Sequence, residues 1–152
     1  MTKVRLDEID KKILNILQAD ARAPIAEISR GLKLSETSVR YRIKKLVDSG
    51  IISSFMAILI PEKIGLTACA IVGFRVDPGR INDVITRLLA VSGHMEHVCR
   101  CTGEYDISAV VYAKDIGELR DILEEMKSIE GVRDFSLSIV TRRVRPHVAY
   151  KL

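Results

Sequence analysis

Cysteine is scarce in this chain, and the few that occur are poorly placed for cross-linking. Cys69, Cys99 and Cys101 form no CxxC pair and leave one thiol over in any disulfide scheme, so reduced, packed thiols are expected. Long apolar runs are missing too. None approaches the roughly 18 residues that cross a bilayer, and the opening MTKVRLDEID has no apolar core of the secretory kind. The expectation is a cytoplasmic protein with no membrane partner. Nor is there a phosphate loop, a metal-ligand spacing, or a nucleophile with its base and orienting group, so no catalytic residue, metal or cofactor is assigned. His94 and His97 stand three apart in an expected strand, which aims them at opposite faces, and His147 lies near the C-terminal end.

Charge of one sign is modest, at +4 net over 152 residues, but it is unevenly placed. Residues 1–60 hold 11 Lys and Arg against 7 Asp and Glu, while residues 61–152 hold 13 against 13. The surplus is confined to the front, which suits a polyanion bound there.

What is present at the front reads as three helices. Asp7 is a candidate N-cap for Ile9, Ile13, Leu14, Ile16 and Leu17, which recur at helical spacing. Pro24 suits the first turn of a second helix carrying Ile25, Ile28 and Leu32, with Gly31 expected to end it. Ser35 then caps a third, where Val39, Ile43, Leu46 and Val47 form the core stripe and Gly50 the stop. Three short helices, the last two joined by a tight turn, make a helix-turn-helix.

The third helix carries four cations within six residues. Thr37, Ser38, Tyr41, Lys44 and Lys45 lie opposite the stripe, and Arg40 and Arg42 flank it with their guanidinium groups expected to reach outward. With Ser35 at the cap, these are the candidate DNA contacts: cations for phosphates, hydroxyls and a phenol for base edges in a major groove. A plain solvated helix face is the alternative, and the helix-turn-helix context favours DNA.

Past Gly50, residues 51–65 form an apolar, β-leaning run closed by Pro61 and Gly65, read as a linker strand between a DNA-binding domain of residues 1–50 and a second domain of residues 66–152. The second domain reads strand, helix, strand, strand, helix, strand. TACAIVGFRV is followed by a helix of Ile81, Val84, Ile85, Leu88 and Leu89, then HMEHVCRC and DISAVVYA around the turn TGEY. Asp115 with Glu118 marks a capping box for the next helix, and VRDFSLSIV closes the order. The fold class is α+β: the helix-turn-helix joined to a ferredoxin-like βαββαβ sandwich. Both helices on one side of the sheet leave the other side bare, and a first strand apolar on both sides predicts that the bare face meets another subunit.

The run LDEIDKKILNILQADARAPIAEISRGLKLSETSVRYRIKKLVDSGII, with Ile64–Gly65, TGEYDI at 102–107 and IEGV at 129–132, resembles the Lrp/AsnC, or feast/famine, transcription regulators over essentially the whole chain. The resemblance implies a simple or winged helix-turn-helix and an ACT-like effector domain. It implies dimers, often assembled into octamers, and a small effector, usually an amino acid, near subunit contacts. Asp106 is then a candidate for the effector's ammonium and the backbone around Gly103 for its carboxylate. Gly103 and Asp106 fit a tight hairpin equally well. Glu104, Tyr105, Ser136 and Ser138 complete the candidate set; Glu104 beside Asp106 favours a cationic effector. Two other readings stand beside this one: an architectural DNA binder of low specificity, and an enzyme like the siroheme decarboxylases, which Lrp-like folds also resemble.

Overall fold

The computed structural model describes residues 5–91, 93–144 and 150–152. Two compact units emerge, one running to Ile58 and including Tyr150–Leu152, the other from Leu59 to Val144.

In the first unit, α1 spans Glu8–Ala19, α2 Ile25–Leu32 and α3 Glu36–Asp48. The start of α1 is a full capping box: Asp10 N–H donates to Asp7 Oδ1 at 2.7 Å, and Asp7 N–H donates to Asp10 Oδ2 at 3.3 Å. Ser35 caps α3. Gly50, at φ +72, closes it, with Ile51 N–H returning to the Leu46 carbonyl. Ile13, Leu14, Ile28, Val39 and Leu46 form the buried core.

Three expectations here need correcting. Gly31 does not end α2; Lys33 does, in the left-handed conformation at φ 55, with Leu34 N–H returning to the Ser29 carbonyl. Leu32 and Leu34 both pack on the core, so the turn falls on the one residue between them that does not. Val47 is 42% exposed, which narrows the core stripe of α3 to Val39, Ile43 and Leu46. Nor does the linker form a strand. Residues 53–60 join no ladder, and Pro61–Ile64 make a single 3-10 turn. Apolar β-leaning composition is not enough without a strand edge to take its N–H and C=O groups.

The second unit has the order β1 (Ala68–Val76), α4 (Ile81–Leu88), β2 (His94–Arg100), β3 (Ile107–Ala113), α5 (Ile116–Lys127) and β4 (Val132–Ile139). The sheet runs β2-β3-β1-β4 with every neighbouring pair antiparallel, which is the ferredoxin-like topology. Because strand side chains alternate, Ala68, Ala70, Val72, Phe74 and Val76 sink beneath Val84, Leu88, Leu119, Leu123 and Met126 of the helices. Cys69, Ile71, Gly73 and Arg75 face the other way. Of the expected capping box on α5 only half forms: Asp115 accepts from Glu118 N–H at 2.8 Å, while Glu118 accepts from Lys114 N–H at 2.7 Å.

β2 carries a bulge. Glu96 pairs with Val110 and Cys99 with Ser108, three steps against two, with His97 at φ 54 between them. The simple alternation assumed for His94 and His97 therefore stops at Glu96.

Candidate DNA-binding and effector sites

Ser35 Oγ accepts from Ser38 N–H at 3.2 Å, and the two hydroxyls lie 2.8 Å apart, so cap and first turn of α3 are held together. From that cap onward Thr37, Ser38, Arg40, Tyr41, Lys44 and Lys45 are all exposed, Tyr41 at 69%. Lys44 pairs with Asp48 at 2.6 Å and Arg40 with Glu36 at 3.6 Å, both one turn away on the exposed face. Exposed pairs of this kind are weak and yield readily to a phosphate. Lys45 meets no carboxylate among the described residues.

Arg42 departs from the expected outward arrangement. Its Nη1 donates to Asp7 Oδ2 and to Asp10 Oδ1, each at 2.6 Å, and its side chain is only 26% exposed. The reason is that two carboxylates of the α1 capping box stand where the flank of α3 passes. Asp7 is held below the usual carboxylate range, first by the Asp10 N–H and then by Arg42. Both aspartates raise Arg42 above its ordinary value, chiefly through their hydrogen bonds.

In the second unit, the loop 101–106 lies at the Phe74 end of β1. Gly103 takes φ +130 in open space, which a side chain would strain. Asp106 is anchored three ways: its N–H donates to the Phe74 carbonyl at 2.9 Å, its carbonyl accepts from Cys101 N–H at 2.8 Å, and its Oδ2 accepts from Val76 N–H at 2.8 Å. One carboxylate oxygen is thereby committed to the backbone of β1. The tight hairpin and a ligand contact through the other oxygen are compatible. Glu104 accepts from the Tyr105 hydroxyl at 3.1 Å.

Tyr105 turns its ring onto the bare face of the sheet. A Cβ on Gly73 would lie 2.6 Å from Tyr105 Cγ, so the ring rests directly on the glycine backbone. Gly73 pairs with Ser108 on one side and Ser136 on the other, which brings the loop beside Ser136; Ser138 sits two pairs further along, opposite Ile71. Arg75 stands 6.0 Å from the ring centre. Neither Gly73 nor Arg75 is signalled by spacing along the chain, since only strand register brings them here.

At the other end of that face the Tyr112 hydroxyl donates to Glu96 at 3.0 Å, and Arg143 Nη1 donates to the same hydroxyl at 3.3 Å. Burial, and then Glu96, push the Tyr112 phenol up to about 12. Burial also raises the Cys69 thiol, as suits a packed cysteine. An open depression of about 630 Å3 in the first unit, lined by Leu14, Leu17, Phe55, Met56 and Ile58 among others, is mostly apolar, with Asp20 and Arg22 also in its wall.

A capped recognition-type helix following a tight turn, with a separate α+β unit carrying a glycine-bearing loop, defines a two-domain DNA-binding regulator. Residues 6–53 match the winged helix-turn-helix DNA-binding family and residues 69–150 the Lrp/AsnC ligand binding domain. The HTH-type transcriptional regulator FL11 of Pyrococcus abyssi is 39% identical over 140 residues, 92% of each chain. A transcriptional regulator of Neisseria meningitidis, solved as an L-Met complex, is 26% identical with a TM-score of 0.84 over 93% of each chain. AsnC of E. coli shares the fold at a TM-score of 0.87, covering 98% of this chain and 99% of that one, at 20% identity. The chain belongs to the Lrp/AsnC family of transcriptional regulators, with a DNA-binding helix-turn-helix and a ligand-binding domain.

Proposed function

We propose that this protein is a sequence-specific regulator whose assembly, and through it DNA binding, responds to an amino acid held at the 102–106 loop. The observation that carries the DNA half is the exposed row Thr37, Ser38, Tyr41, Lys44 and Lys45 on a helix capped at Ser35, with Arg40 at its flank. Phosphates displace Glu36 and Asp48 from their exposed pairs, and Tyr41 and Ser38 read base edges.

For the effector half, the L-Met complex of the Neisseria relative supports an amino acid as the ligand class. Gly103, Glu104, Tyr105, Asp106 and Ser136 gather at one end of the sheet and supply both signs of charge with Arg75. Ser138 lies at the margin of that group. The bare face with Ile71, 48% exposed, is the contact that pairs subunits into a homodimer, and dimers assemble further toward an octamer. A ligand bound with different affinity in two assemblies must shift the balance between them, and affinity for DNA follows by linkage.

Gel shift on the duplex upstream of the protein's own coding sequence, against a scrambled duplex, with and without an amino-acid pool, tests this. Selective retardation that changes with amino acids is expected. Equal retardation of both duplexes would instead mean an architectural role.

A further inference from the structure

We infer that Arg42 is a positioning residue for DNA recognition: it locks the recognition helix to the capping box of α1 and makes no phosphate contact of its own. The inference rests on the sequence-specific reading above.

The bonding of the two aspartates leaves little freedom. Asp7 Oδ1 accepts from Asp10 N–H and Asp10 Oδ2 accepts from Asp7 N–H, so one oxygen of each is spent inside α1. The remaining pair, Asp7 Oδ2 and Asp10 Oδ1, both accept from Arg42 Nη1. All four carboxylate oxygens are occupied, and a single nitrogen of α3 joins them. The Asp10 side chain is 8% exposed, so removing Arg42 would leave a buried carboxylate without its cationic partner. Two negative charges and one positive leave this locus net acidic, which is a poor place to receive a phosphate.

The location on the helix agrees. At about 100° per residue Thr37, Tyr41 and Lys44 lie within roughly 60° of one another, whereas Arg42 is turned about 100° from Tyr41 toward the core stripe. Val39, Ile43 and Leu46 seat α3 on the core, and Arg42 ties its flank to the start of α1. The core stripe and the ion pair together set the tilt and rotation of the helix, and those decide which base edges Tyr41 and Ser38 meet. Base contacts are short and directional, so small rotations cost discrimination more than they cost attraction to phosphates.

The test compares binding of the full chain to a duplex selected from a random pool and to a scrambled duplex, over a salt series. Arg42→Gln, Asp10→Asn and their double variant are used, with the folded fraction of each measured by far-UV circular dichroism. Expected is a fall of about tenfold in the ratio of selected to scrambled affinity for each single variant, with the salt slope unchanged and the double variant no worse than either single one. A phosphate contact would behave otherwise: Arg42→Gln would weaken both duplexes equally and lower the slope by about 1, and Asp10→Asn would leave binding intact or tighten it. A purely structural role would lower thermal stability and leave the ratio of the folded fraction untouched. Either of these results overturns the inference. Should Asp10→Asn fail to fold, Asp7→Asn at the half-exposed partner carries the same prediction, with a smaller loss of ratio. A wild-type ratio of one would overturn the sequence-specific reading along with this role. A high wild-type ratio that survives Arg42→Gln overturns the role alone.

Discussion

Gly73 sits mid-strand, where glycine ordinarily weakens a sheet, and the Tyr105 ring is what makes it necessary. An added methyl would stand 2.6 Å from Tyr105 Cγ, too close for any real contact, so the ring must leave the sheet. Gly73→Ala is expected to cost about 1–3 kcal/mol by urea unfolding. In a Tyr105→Ala background the same change should cost far less, because nothing remains to be displaced. Equal cost in both backgrounds would show that the glycine serves something else. If the loop holds the effector, Gly73→Ala should also blunt the amino-acid response while DNA affinity stays near wild type. Spacing along the chain reveals none of this, since Gly73 and Tyr105 are 32 positions apart and meet through the β1–β3 register.

At the scale of elements, the helices were legible because each carries a 3.6-residue apolar period, joined in α1, α3 and α5 by a side-chain cap. The errors fell at ends and edges. Gly31, expected to terminate α2, lies inside it, and a Cβ there would meet nothing within 4 Å. Gly31→Ala should therefore stabilise the protein by about 0.5–1 kcal/mol, through the entropy lost from the unfolded chain and the better helix propensity of alanine. A higher midpoint in thermal or urea unfolding with unchanged DNA binding is the expected result; a lower midpoint would mean that α2 ends where its glycine suggested. The β2 bulge at His97 and the unpaired 53–60 segment share one cause. Strand behaviour depends on a partner's register, which local pattern does not carry.

For the molecule as a whole, the sheet of the second unit covers one face with α4 and α5 and leaves the other to Ile71, Val110 and their polar neighbours. Placing a charge at the middle of that face tests the assembly argument. Ile71→Lys is expected to lower the mass measured by light scattering at a given concentration and to weaken DNA binding in step, since two recognition helices act together only when subunits pair. An unchanged mass would move the subunit contact to another surface. The same logic ties the amino-acid response to concentration: an effector that acts on assembly has its largest effect near the midpoint of association.

Short-range chemistry along the chain was enough to reveal three helices capped at Asp7 and Ser35, the βαββαβ order, the basic front and the family. Each depends on interactions that close within about a turn or a hairpin. What side chains do across elements was not open to that reading. Arg42 looked like a cation for DNA from its place on α3, and only the packing of α3 against α1 turned it onto Asp7 and Asp10. Asp106 suited a tight hairpin and an effector's ammonium equally, and only the fold shows that the end of β1 engages one of its oxygens. A residue's partners 30 or more positions away depend on every packing angle and register between them, and those settle together in the folded state.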